Sequence, residues 1–260
     1  MSAPSVRAVN ESGLPVGVGE LHQRTTVPNP CSVVRDNAHP GRGTVLVLGT
    51  PRGGTSVVAG ICHMLGVPMG LDIDPSNMED REFRQILEGD DVPFAAAKYF
   101  TRARRRHSLV GVKSPVVIDR LSEFYPTVID PVLVVVSRDI YATAQREECS
   151  GHDFFASLRE VIRRKFAILD FVEVGQAPLV IVSYERLIQD SRIAVETLAR
   201  FITGSIDDRL VRRIAPLVRP HADMPREVDF VRARLDYEGS QRRTWSREMT
   251  TSPTGKRLRG

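Results

Sequence analysis

The chain has 260 residues, of which 42% are hydrophobic and 26% charged, and this composition and length suit a globular protein with one substantial core. Its formal net charge is +4 and its pI is about 9.2. The excess positive charge lies at the ends, because residues 1–42 carry +1 and residues 251–260 carry +3, so residues 43–250 sum to zero. This distribution argues against a basic domain face, and we expect no nucleic-acid partner.

The cysteines and the hydropathy pattern indicate the compartment. Cys31, Cys62 and Cys149 are widely spaced and form no CxxC pair, which argues against a disulfide framework or a structural zinc site and favours a reducing environment. The N-terminus has no apolar run of signal-peptide length. No uncharged stretch approaches the roughly 20 residues of a membrane helix. We therefore expect a cytoplasmic protein without stable membrane insertion.

The order of elements predicts an α/β fold. Residues 1–42 are rich in Pro, Gly, Ser and Asn without apolar periodicity, which predicts a flexible leader. Short aliphatic runs then predict buried strands at residues 44–48, 109–112, 132–136 and 179–182. Strands separated by helices predict a central parallel sheet flanked by helices in three layers. We place this domain at residues 43–250 and a mobile basic tail at residues 251–260.

Apolar periodicity predicts the helices between the strands. One helix covers residues 56–65, directly after the first strand. A second is marked by an apolar stripe at spacings of three and four, made of Phe154, Leu158, Val161, Ile162, Phe166, Leu169 and Val172. A third contains Ile193, Val195, Leu198 and Phe201 and ends near Gly204.

The turn after the first strand reads Thr50-Pro51-Arg52-Gly53-Gly54-Thr55-Ser56, and we call residues 50–56 the Gly-Gly loop. A strand, a tight Gly-containing turn and a helix together form a phosphate-binding geometry, because backbone N–H groups and the positive helix end face the anion. The nucleotide-triphosphatase version, GxxxxGK[ST], has a lysine that is missing here. Arg52, ahead of the glycines, is the cation instead. A plain strand-to-helix turn remains the alternative.

The Gly-Gly loop resembles the P-R-S-G-T-S-like loop of many bacterial PAPS-dependent sulfotransferases, whose donor is 3′-phosphoadenosine 5′-phosphosulfate. The resemblance implies a P-loop-type fold and a 5′-phosphosulfate site formed by Arg52 with Gly53, Gly54, Thr55 and Ser56. Gly53 replaces the family's usual Ser, so one hydroxyl contact is missing. PAPS would be the donor and PAP the product, and the family requires no metal.

Two further blocks resemble this family in the same order. Ser137-Arg138-Asp139-Ile140 follows the third strand, as the family's R-D-P block does, which implies that Arg138 contacts the 3′-phosphate. Arg146 stands where the family has Ser, and a guanidinium also suits phosphate; surface ion pairs with Asp139 or Glu147 are the alternative. Residues 180–204 resemble the strand-Y-E-D-L block, with Tyr184 near the adenine and with Glu185 and Leu187 as structural residues. Residues 239–245 only weakly match the family's late basic segment.

Sulfuryl transfer requires cations on the donor and a base for the acceptor. Lys113 ends the second strand, where the family often has a lysine that reaches the bridging oxygen. The family's His two positions later is Pro115 here. Residues 77–83 resemble a carboxylate-bearing segment of other members, which makes Glu79 the candidate base and Asp80 the reserve. The alternative is a charged first turn of an exposed helix.

The sequence leaves the acceptor open: a hydroxyl or amine of a small molecule, lipid or glycan. A homodimer also remains open. Two other functions stay under consideration, namely a P-loop kinase of a nucleotide or metabolite and a non-catalytic PAP-binding relative that has lost its base.

Overall fold

The computed structural model describes residues 29–114, 117–218 and 238. Its main sheet has five strands in the order β1-β7-β6-β2-β5. The four predicted strands are confirmed and run parallel to one another. They are β2 (Gly43–Leu48), β5 (Leu109–Lys113), β6 (Pro131–Ser137) and β7 (Leu179–Ser183). A separate hairpin is formed by β3 (Ile73–Asp74) and β4 (Glu79–Asp80).

Helices cover both faces of the sheet, so the predicted three-layer α/β fold is confirmed. Their bounds are α1 Thr55–Met64, α2 Arg81–Glu88, α3 Val92–Arg106, α4 Leu121–Phe124, α5 Ile140–Glu148, α6 Phe154–Val174, α7 Tyr184–Gln189, α8 Ser191–Thr203 and α9 Asp208–Ile214. Alternation along the strands separates two cores. Val45 and Val47 of β2 face α1 and α8, whereas Leu46 and Leu48 face α3 and α6.

The first strand lies within the segment that composition assigned to the flexible leader. β1 (Cys31–Arg35) pairs antiparallel with β7. The pattern did not predict it, because Ser32, Val33 and Val34 are exposed at the sheet edge and only Cys31 is buried. Residues 29–42 therefore belong to the domain, and the remainder of the leader and the basic tail lie outside the described residues.

The apolar stripe assigned to the second helix is only partly core. In α6, Val161, Ile168 and Val172 are buried, but Ile162, Phe166 and Leu169 are exposed. The apolar band on α6 is wider than the surface that packs on the sheet. Apolar periodicity alone does not show which residues of the band are buried. No helix among the described residues is long and apolar enough to cross a membrane.

Candidate phosphate-binding site

The Gly-Gly loop connects the buried strand β2 to α1 at the carboxyl end of the sheet. Its backbone closes as a turn in which the N–H of Gly53 donates to the carbonyl of Thr50 at 3.0 Å. A Cβ on Gly53 would come within 2.7 Å of that same carbonyl oxygen. The turn thus explains why Gly53 stands where a Ser was expected by resemblance. The Gly53 N–H is used by the turn. The backbone N–H groups after Gly53 are the ones that can face an anion.

The N-terminus of α1 has no side-chain cap, unlike most other helices of the chain. An Asp accepts a backbone hydrogen bond at the start of α2, α3, α5, α6, α8 and α9. By contrast, the N-cap residue of α1 is Gly54, which offers no side-chain cap, and the first turn of α1 has no acid. The first N–H groups of a helix have no intrahelical acceptor. At α1 they are therefore free of a competing carboxylate and suit an external anion.

Gly54 also fixes the distance between the loop and α7. Its φ is 90°, and a Cβ there would lie 2.2 Å from the Tyr184 ring. Tyr184 is buried beneath Gly54 and carries the Arg138 guanidinium, whose Cζ lies 4.7 Å from the ring centroid. The ring thus supports Arg138, while its contact with adenine stays a prediction.

Lys113, Glu79 and Ser56 form a buried group next to the loop. The Lys113 Nζ lies 2.8 Å from Glu79 Oε1 and 3.2 Å from Ser56 Oγ, and it also donates to the carbonyl of Asn77 at 3.1 Å. Lys113 is 4% exposed and Glu79 is 6% exposed. β5 lies beside β2, so Lys113 at the end of β5 reaches the Gly-Gly loop although it is not part of the loop sequence. We call Lys113 and Glu79 the buried pair.

Asp80 has a structural role. Its carboxylate accepts hydrogen bonds from the backbone N–H of Leu71, of Asp72 at 2.8 Å and of Phe83 at 2.6 Å. One oxygen thus caps α2 and the other holds the backbone of residues 71 and 72, and Asp80 is 1% exposed. Of the two adjacent acids, only Glu79 faces the lysine and the loop. The alternative of an exposed first turn does not hold for either residue.

Three arginines form a second group on the other side of the loop. The Arg138 Nη1 donates to the carbonyl of Arg52 at 2.8 Å, and its Nε is buried without a hydrogen-bond partner among the described residues. Arg52, Arg138 and Arg146 line one cleft of about 550 Å³, together with Ala142, Gln145, Glu148, Cys149 and Ser150. We call Arg52, Arg138 and Arg146 the arginine group.

Two members of the arginine group, Arg138 and Arg146, are electrostatically unsatisfied. Burial lowers the pKa of the Arg146 guanidinium from its usual value, and the neighbouring charges of Arg138 and Arg52 lower it further. Neither Arg138 nor Arg146 forms an ion pair with any described residue, and Asp139 instead caps α5. Like charges held together beside an open cleft favour binding of an anion.

Sequence reasoning missed the residues that hold the arginine group in place. Arg52 donates from Nη2 to Ser150 Oγ at 2.9 Å, and its Nε lies 3.9 Å from Glu147 Oε1. Lys165 of α6 donates to the carbonyl of Arg138. Glu185 accepts from the N–H of Asp139 at 2.9 Å, in keeping with its expected structural role. Ser150 and Lys165 stand far from the loop in sequence and belong to no motif, so no signal pointed to them.

The structure gathers the predicted site residues around one loop. Lys113 and Glu79 lie at its Ser56 end, whereas Arg138 and Tyr184 contact Arg52 and Gly54. Arg146 shares the cleft with Arg52. The weakly matched segment at residues 239–245 lies outside the described residues. Within the described ranges, no group of three or more His, Cys, Asp or Glu is arranged to hold a metal ion.

Comparison with known proteins gives structural similarity without sequence similarity. No protein-family model and no curated protein matches the chain. The sulfotransferase domain from the Synechococcus PCC 7002 olefin synthase is 15% identical at a TM-score of 0.49, and the match covers 78% of this chain and 98% of that domain. A sulfotransferase domain from the curacin biosynthetic pathway is 12% identical at a TM-score of 0.47, covering 68% and 78%. At these identities and scores, function has to be inferred from the site itself.

Proposed function

We propose that the chain is a sulfotransferase that moves the sulfuryl group of PAPS to a hydroxyl or amine of a small molecule, lipid or glycan. The observation that carries the proposal is that a buried ion pair and a group of arginines both contact one Gly-Gly loop. Within the arginine group, Arg138 and Arg146 have no ion-pair partner among the described residues, and they suit the phosphates of a donor. The buried pair offers a cation and a carboxylate beside Ser56, where transfer requires both.

The residues present fit the donor. The open N-terminus of α1, with Gly54, Thr55 and Ser56, is suited to the 5′-phosphosulfate, and Arg52 at its rim adds a cation. Arg138 and Arg146 are suited to the 3′-phosphate, because guanidinium groups bind phosphate through paired N–H donors. The buried Nε of Arg138 gives a further reason to expect an anionic partner there.

The buried pair supplies the acid–base part of the proposal. Lys113 would neutralise charge on the leaving phosphate oxygen, and Glu79 would accept the proton of the attacking hydroxyl or amine. Their contact at 2.8 Å places the proposed cation directly beside the carboxylate that would accept the proton. The donor supplies the activated sulfuryl group.

The contact between Lys113 and Glu79 also favours a second candidate, a non-catalytic PAP-binding protein. If the pair never separates, Glu79 remains occupied by Lys113 and accepts no proton from an acceptor. The chain would then bind PAP through the arginine group without transfer. Binding and turnover therefore have to be measured separately.

Thermal unfolding with nucleotides tests the binding half of the proposal. A ligand at one hundred times its dissociation constant stabilises the folded state by about 2.7 kcal/mol. We expect PAP to raise the unfolding midpoint more than ATP or GTP with Mg²⁺, and the reverse order would support the kinase alternative and contradict the sulfotransferase.

Turnover tests the chemical half. PAP release from PAPS is measured over a panel of alcohols, phenols and amines, with wild type and Glu79→Gln side by side. We expect an acceptor-dependent release that falls by about 10²–10⁴-fold in Glu79→Gln while PAP binding persists. Full turnover in this variant would remove Glu79 as the base. Binding without turnover for every acceptor in the wild type would favour the non-catalytic candidate.

A further inference from the structure

One side of α6 is both apolar and exposed. Phe155, Ile162, Phe166 and Leu169 are 64, 37, 61 and 53% exposed. Phe155, Ile162 and Leu169 recur every seven residues, and Phe166 follows Ile162 by four, so all four lie on one side of the helix. We call these four residues the α6 stripe. It extends along most of a 21-residue helix that is about 30 Å long.

Further aromatic side chains extend the stripe at its N-terminal end. At its start, Tyr141 of α5 is 57% exposed and its ring lies 5.4 Å from that of Phe154, which in turn lies 5.4 Å from Phe155. A continuous exposed surface rich in aromatic side chains is typical of a protein interaction site.

Charged residues beside the stripe are sorted along the helix. The N-terminal half has Arg159 and Arg163, and the C-terminal half has Asp170 and Glu173. Arg159, Asp170 and Glu173 form no ion pair with any described residue. An anion in the last turn of a helix opposes the helix dipole, so the position of Glu173 is unfavourable for the isolated helix. The unpaired Arg159 and Glu173 suit a partner whose charges run in the reverse order.

We propose that the α6 stripe binds the same stripe of a second copy of this chain, in an antiparallel pair with the twofold axis near Phe166. Positions 159 and 173 are equidistant from residue 166, so Arg159 faces Glu173 of the partner subunit. Arg163, which is already paired with Asp119 at 2.8 Å and Glu160 at 2.7 Å in its own chain, lies toward Asp170 of the partner subunit, so the Arg159–Glu173 contact carries the argument. Along the helix axis, Ile162, Phe166 and Leu169 lie between the Arg159–Glu173 contacts at the two ends of the interface. A parallel pair would bring like charges together, whereas the antiparallel pair makes the surface self-complementary, as a twofold dimer requires.

The dimer does not depend on the proposed function. Its residues lie outside the buried pair and the arginine group, so failure of the dimer leaves the transferase proposal unchanged. Failure of the transferase proposal likewise leaves the dimer proposal unchanged.

Charge reversal tests the antiparallel arrangement. Arg159→Glu and Glu173→Arg are each examined in the full chain by sedimentation equilibrium. Each variant replaces two attractive contacts by two repulsive ones, and we expect the dimer dissociation constant to rise about tenfold. An equimolar mixture of the two variants, and the double variant Arg159→Glu/Glu173→Arg, should recover the wild-type constant because charges are complementary again. Weakened single variants without recovery in the mixture would overturn the antiparallel pair.

A matched pair of apolar substitutions tests the surface itself. Phe166→Asp places a charge on the twofold axis and should abolish dimers, whereas Ile193→Asp alters an exposed apolar residue of α8 outside the stripe and should not. Circular dichroism checks that both variants are folded. A monomeric wild type would overturn the proposal. If Phe166→Asp then also lowered the unfolding midpoint, the chain's own residues would cover the stripe instead.

Discussion

The buried pair and the arginine group contact the same loop, but they differ in burial and in charge balance. Lys113 and Glu79 are almost inaccessible and neutralise each other at 2.8 Å. Arg138 and Arg146 face a cleft with like charges as neighbours. The buried pair is electrostatically complete in the protein alone, whereas Arg138 and Arg146 become complete only with an anion. Stability and ligand binding should therefore depend on different residues within one site.

Removing one member of the buried pair should give the largest loss of stability. Lys113→Met leaves Glu79 as an uncompensated buried charge, and we expect the free energy of unfolding to fall by about 3–5 kcal/mol. Urea denaturation measures this loss. Lys98→Met, at an exposed lysine whose Nζ lies 4.0 Å from the Phe94 ring centroid, is the matched control and should lose about 1 kcal/mol or less.

The double variant Lys113→Met/Glu79→Met sharpens the same comparison. Because it leaves no charge unpaired, it should recover much of the stability lost by Lys113→Met alone. A Lys113→Met variant as stable as the Lys98→Met control would show that the Lys113–Glu79 pair does not stabilise the folded protein.

Gly54 lies between the two groups, and its substitution should have the next largest effect. Gly54→Ala forces alanine to adopt φ 90° and brings its Cβ within 2.2 Å of the Tyr184 ring. Gly151→Ala imposes a similar φ of 93° with nothing within 4 Å. We expect the control to lose about 1–2 kcal/mol from backbone strain alone, and Gly54→Ala to lose about 1–3 kcal/mol more from overpacking. Equal losses in urea denaturation would contradict a tight contact of the loop with Tyr184.

Substitution in the arginine group should have the smallest effect on stability. Arg146→Gln removes a charge that Arg138 and Arg52 repel, so the unfolding free energy without ligand should change by about 0.5 kcal/mol or less. The stabilisation by PAP should decrease in the same variant. If Arg146→Gln weakened the ligand-free protein as much as Lys113→Met does, the contrast between the two groups would be wrong.

Sequence alone predicts the parts of this molecule that depend on neighbouring residues. The four parallel strands, the turn into α1 and the strand-end positions of Lys113 and Arg138 all follow from local runs and glycines. Tertiary packing decides the rest. Glu79 and Asp80 are adjacent acids, yet one pairs with Lys113 and the other closes a turn. β1 was missed because an edge strand is only partly buried, and the exposed side of α6 because its apolar band is wider than its contact surface.

Calorimetric titration of the wild type with PAP and with AMP, which lacks the 3′-phosphate, tests the central claim most directly. Hydrogen bonds to charged groups contribute about 1.5–3 kcal/mol, so contacts from Arg138 and Arg146 should make PAP bind about 10–150-fold more tightly than AMP. Equal affinities would contradict the account, because the arginine group would then have no 3′-phosphate to bind.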